Sequence, residues 1–92
     1  MDFSKQLNDY MSEIDCSSKE LSDISGLSPA VISRYRSGER TPGIRSEQLT
    51  SLVEGLYKLS VNRNINLSRE EIYTSFSISL NDIHIDLEQL VK

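Results

Sequence analysis

The chain has 92 residues, 37% of them hydrophobic and 26% charged, with four glycines and two prolines, which is the scale of one small domain with a local core. No apolar run reaches the roughly 18 residues of a membrane span, and the start MDFSKQLNDY lacks signal-peptide character, so a cytoplasmic protein is expected. The formal charge of −4 argues mildly against a polyanionic partner, and a single cysteine, Cys16, excludes an internal disulfide.

Phe3, Leu7, Tyr10, Met11 and Ile14 recur at helical steps and predict a first helix over 3–14. Ser17-Ser18-Lys19-Glu20 fits a capping box, in which the serine hydroxyl accepts from an orphan amide and the glutamate reaches back to the cap. It opens a short second helix over 18–25, with Leu21 and Ile24 facing inward and Gly26 at the end, where a positive φ is wanted. Ser28 as cap and Pro29 in the first turn open a third helix that carries Val31, Ile32 and Tyr35 inward and closes at Gly38. Glu39-Arg40-Thr41-Pro42-Gly43 reads as a loop.

Leu49, Leu52, Val53, Leu56, Tyr57 and Leu59 predict a fourth helix over 46–60. Gly55 inside it either admits a close backbone or is simply tolerated. Ser68-Arg69-Glu70-Glu71 is a second capping-box pattern, opening a fifth helix through Ile72, Tyr73 and Phe76. Beyond it, Phe76, Ile78 and Leu80 alternate with serines, and Ile83, Ile85 and Leu87 alternate again. This fits a hairpin, or a helix ending near Leu80 followed by a linker and a new helix from Asp86. The second reading is preferred because two isolated strands are marginally stable. It divides the chain into a domain over 1–80 and a linker with the start of a further helix over 81–92, a pattern expected of the front portion of a longer protein.

Charge is unevenly spread. Residues 28–45 hold Arg34, Arg36, Arg40 and Arg45 against Glu39 alone, whereas the segments on either side are net acidic. Two short capped helices joined by Gly26-Leu27-Ser28 immediately precede or contain these arginines. Such a tight turn makes helices cross steeply and holds the second proud of the body, where it suits a major groove about 12 Å wide.

The stretch resembles the helix-turn-helix of the Cro/phage-repressor family, the xenobiotic-response-element (XRE) family of bacterial regulators. The resemblance is carried by Glu20-Leu21, Ser25-Gly26-Leu27-Ser28, Ile32-Ser33-Arg34-Tyr35 and Ser37-Gly38-Glu39-Arg40-Thr41-Pro42, and covers about residues 3–60. It implies an all-α, five-helix lambda-repressor-like domain with its helix-turn-helix motif over 18–37. It also implies sequence-specific binding of double-stranded DNA, as a homodimer, to regulate transcription. Carried over by position, Pro29, Ala30, Ser33 and Arg34 would read base edges, with Arg34 suited to bidentate bonding of guanine. Ser18, Ser28, Arg36, Arg40 and Thr41 would hold the DNA backbone. Two positions depart from the family pattern. Ser22 stands where alanine is usual, and Pro29-Ala30 stand where hydrogen-bonding side chains are common, so readout rests on Arg34, Ser33 and DNA shape.

Blander readings stand beside these. Arg36 is equally suited to a salt bridge with Glu39 or another acid, and Arg40 has a plain loop-charge reading, although its place before Thr41-Pro42 favours phosphate contact. Tyr35 reads as core, Cys16 as a small packed spacer rather than a reactive thiol, and His84 as an ordinary packing or surface histidine. Asp82, Asp86 and Glu88 read as solvated charges or caps. There is no phosphate loop, nucleophile elbow or metal-ligand cluster, so no enzyme, cofactor, metal or small-molecule substrate is expected. The rival to DNA binding is a protein-interaction or dimerisation module on the same fold, working through the apolar segment Phe76–Val91.

Overall fold

The computed structural model describes residues 2–91, with side chains described through Leu80. Its elements are α1 (Phe3–Ile14), α2 (Ser18–Ser25), α3 (Pro29–Ser37), α4 (Glu47–Asn62) and α5 (Arg69–Val91), with no strand among the described residues. None of these helices is long and apolar enough to cross a membrane.

Each helix starts on a side-chain oxygen that takes up an otherwise orphaned amide. Asp2 accepts from the Ser4 amide at 3.2 Å, Ser17 from Glu20 at 3.1 Å, Ser28 from Val31 at 3.2 Å, Ser46 from Leu49 at 3.2 Å and Ser68 from Glu71 at 3.0 Å. The capping box at Ser17 is complete, because the Ser17 amide also donates to Glu20 at 3.1 Å. The first three helices end on left-handed residues, namely Asp15 (φ 60°), Gly26 (φ 82°) and Gly38 (φ 82°). Glycine adopts that backbone region without steric cost.

The buried faces converge on one core. Phe3, Leu7, Met11 and Ile14 of α1 meet Leu21 of α2, Ile32 and Tyr35 of α3, five residues of α4, and Ile72, Phe76 and Leu80 of α5. Phe3 links the layers, edge-on to Tyr35 at 5.9 Å between ring centres and 5.0 Å from Phe76. Ser79 ties α5 to α1 by donating to the side-chain oxygen of Gln6 at 2.5 Å.

Gly55 sits where α4 approaches α2. A Cβ there would lie 3.0 Å from the Ser25 Cβ and 3.1 Å from the Leu21 Cδ1, so the close-approach reading of this glycine holds. α4 also runs two residues beyond the expected Ser60, to Asn62.

The end of the chain needs correcting. In place of a helix ending near Leu80, a linker and a new helix from Asp86, one helix continues to Val91. The alternation of Phe76, Ile78 and Leu80 contains a four-residue step, Ile72-Phe76-Leu80, whose members are all buried, while Ile78 is exposed. That periodicity is helical. The side chains of 81–92 lie outside the described residues, and so do the roles read for Asp82, His84, Asp86 and Glu88.

Candidate functional site

The turn between α2 and α3 is built by its serines. The Ser22 hydroxyl, nearly buried, donates to the Leu27 carbonyl at 2.6 Å, and the Leu27 amide donates to the Ser25 hydroxyl at 3.1 Å. Serine at position 22 therefore supplies a bond across the turn that alanine would lack. With Gly26 closing α2 and Ser28 opening α3, three residues suffice to redirect the chain.

Ile32 and Tyr35 of α3 are buried, whereas Ser28, Pro29, Ala30, Ser33 and Arg34 are all exposed on the same short element. Arg40 and Thr41, in the connection to α4, are exposed as well, and Pro42 is buried. Together with Gly26, Ser28, Val31, Tyr35 and Gln48, Arg40 and Thr41 line a cleft of about 410 Å³ beside α3. Burial pushes the Tyr35 phenol up, and the nearby Arg40 guanidinium acts in the opposite direction, so Arg40 carries its charge close to this cleft.

Arg36 is placed differently from its neighbours. Its Nε donates to the Asn8 side-chain oxygen at 2.6 Å, its Nη1 donates to the Ser18 hydroxyl at 2.8 Å, and its carbonyl accepts from the Asn8 amide group at 3.0 Å. One half-buried arginine thus joins α1, the first residue of α2 and the last turn of α3. The salt bridge with Glu39 considered for Arg36 is formed instead by Arg34, whose Nε lies 3.6 Å from a Glu39 carboxylate oxygen. The reason is the left-handed Gly38. It folds the chain back so that the Arg40 amide donates to the Arg34 carbonyl at 3.2 Å, bringing Glu39 alongside Arg34.

The Glu20 carboxylate is held below its usual range, first by the capping bond from the Ser17 amide and then by Arg63, which donates to it at 2.6 Å. Burial pushes the Cys16 thiol up, with Arg63 opposing, which fits a packed spacer better than a reactive thiolate.

Sequence reasoning missed Asn8, the partner of Arg36 from 28 residues away, and Gln48 in the cleft wall. Asn8 lies just off the apolar stripe of α1, a position where a polar residue can reach a neighbouring helix, but nothing local marks its partner. A second, larger cleft of about 660 Å³ lies between α4 and α5, lined by Thr50, Val53, Glu54, Arg69, Glu70 and Tyr73. Its arginine is already engaged, bonded to Glu54 and stacked 4.6 Å over the Tyr57 ring. Of the apolar segment Phe76–Val91, Phe76 and Leu80 are buried in the core, so they are not available as a partner surface.

No protein-family model, no curated protein and no solved structure matches the chain.

Proposed function

We propose that the chain binds double-stranded DNA sequence-specifically through α3 and regulates transcription. The observation that carries this reading is the exposed edge of α3. Ser28, Pro29, Ala30, Ser33 and Arg34 are solvent-facing there, next to exposed Arg40 and Thr41, within the one segment whose charge is positive. A guanidinium on a projecting helix is the group best suited to reading guanine in the major groove, and the first amides of α3 point toward the end where a phosphate would be favoured. Ser18 and Arg36 act here as one unit, since the hydroxyl already accepts from the guanidinium and keeps its own proton to donate. The resemblance to Cro/phage-repressor domains adds the fold type and a homodimer on a two-fold-symmetric site.

The test is fluorescence anisotropy with a random-sequence duplex pool at two salt concentrations, followed by selection of bound sequences. Binding through a few phosphates weakens about 10- to 100-fold between about 50 and 200 mM salt, through counterion release. On the selected duplex, Arg34→Ala is expected to lose about 10- to 100-fold in affinity, the value of one bidentate base contact. Its melting temperature should stay within about 2 °C of the parent, because an exposed ion pair contributes little to stability. Absence of binding at low salt would overturn this reading in favour of a protein-interaction module.

A further inference from the structure

Arg34 does not stand free on α3. The chain beyond it forms a hook: the Gly38 amide donates to the Tyr35 carbonyl at 3.4 Å, and the Arg40 amide to the Arg34 carbonyl at 3.2 Å. The Ser37 hydroxyl also donates to the Arg34 carbonyl, at 3.1 Å, and accepts from the Glu39 amide at 3.3 Å. These bonds fix the backbone of Glu39, and its carboxylate lies 3.6 Å from Arg34 Nε. Both side chains are well exposed, 48% for Arg34 and 70% for Glu39, so the pair is not a strut of the core.

We propose that Glu39 is a specificity-determining positioning residue for the DNA-reading role of Arg34, an inference that rests on the function proposed above. A guanidinium is planar and presents its five donors along two usable edges. The Glu39 carboxylate, paired with Nε as an ion pair at 3.6 Å and not as a hydrogen bond, lies toward the side edge. The terminal edge, formed by the two Nη groups, is left to face a base, and it is this edge that bonds guanine O6 and N7 together. A guanidinium biased by a neighbouring carboxylate has fewer orientations to lose on binding. The carboxylate has a second effect, because it is the single acid in residues 28–45. It repels any phosphate that approaches Arg34 from the side, which weakens indiscriminate backbone contact without blocking the end-on approach to a base. One residue thus both aims the reading group and penalises its misuse.

The experiment compares the wild-type chain, Glu39→Gln, Arg34→Lys and the double variant. Each is titrated with the duplex selected by the wild type and with random duplex, and melting temperatures are measured alongside. In Glu39→Gln, affinity for random duplex is expected to rise about 2- to 5-fold, from removal of one negative charge near the phosphates. The ratio of selected to random affinity is expected to fall about 5- to 20-fold, a large part of what one bidentate contact supplies. Arg34→Lys keeps the charge and lacks the fork, so adding Glu39→Gln to it should lower the ratio only by the rise in random affinity, about 2- to 5-fold, since the aiming effect needs the fork. A ratio in Glu39→Gln within twofold of wild type, or full additivity in the double variant, overturns the proposal while leaving DNA binding intact. A wild-type chain that binds no duplex overturns the underlying function and this inference with it. Melting temperature separates either outcome from simple loss of fold.

Discussion

Arg34 and Arg36 are two residues apart and have opposite surroundings. The first projects to solvent from the last turn of α3, and the second is drawn inward by Asn8 and Ser18. Their substitutions should therefore separate. Arg36→Met keeps much of the aliphatic stem but leaves the Asn8 side-chain oxygen without its charged donor, at a cost of about 1–3 kcal/mol. Thermal melts should show a loss of about 4–8 °C for each kcal/mol in a domain of this size. A melt unchanged from wild type would mean that the three-helix junction is held without this side chain. The caps at Ser17, Ser28 and Ser68 were legible in the sequence because each bonds an amide only three residues on. The Arg36–Asn8 contact was not, because it spans 28 residues and depends on how α1 lies against α3. The Arg34–Glu39 pair was hidden for another reason. Helical spacing favours a partner three or four residues away, and the fold-back at Gly38 brings together residues five apart.

The helices were readable from the apolar stripe alone for α1, and wherever a cap, a stripe and a stop signal agreed, as they do for α2 and α3. Reading failed at the end of α5, where serines between apolar residues imitate the two-residue repeat of a strand. Asn81-Asp82 there also resembles a turn, although the helix continues through it. Gly55 gives the sharpest test of how the elements pack. Alanine is the better helix former by about 1 kcal/mol, so an unpacked site would be stabilised by Gly55→Ala. Here the added carbon meets the Ser25 Cβ, an atom fixed to the α2 backbone that cannot rotate away. Gly55→Ala is therefore expected to destabilise by about 1–2 kcal/mol, and Gly55→Val by more, in urea denaturation. Equal or greater stability for the alanine variant would show that α2 can shift away from α4 at little cost.

Across the whole molecule, a chain of net charge −4 keeps a cationic segment at residues 28–45, with acidic segments before and after it. Such an asymmetric field orients a polyanion toward the basic side even though the total repels it. Composition alone points the other way, so the proposed function rests on the distribution of charge along the sequence and not on its total. The assembly of the candidate site was only partly legible. The exposed positions of α3 follow from its helical period. The cleft beside α3 does not, because it forms only when the connection carrying Arg40 and Thr41 packs against the α2–α3 turn, with buried Pro42 as its anchor.

The choice of capping residue gives the domain an uneven response to acid. A serine hydroxyl does not titrate, so the capping bonds of Ser28, Ser46 and Ser68 do not themselves respond to protons. The start of α2 also uses a carboxylate, Glu20. Its folded form holds the proton less tightly than the unfolded chain, so its stabilising effect is complete above the ordinary carboxylate range and fades as pH falls through the folded value. Protonation would release both the Ser17 amide and Arg63, loosening α2 at its first turn while the α3 start keeps its cap. Melting temperatures followed by circular dichroism from about pH 6 to about pH 3 should fall less steeply in Glu20→Gln than in the parent. Equal slopes would mean that acid acts elsewhere. If the slopes differ as expected, protons would loosen the first turn of α2 before they disturb α3, so under the function proposed above acidity would weaken the backbone contacts assigned to Ser18 ahead of the base contacts assigned to α3.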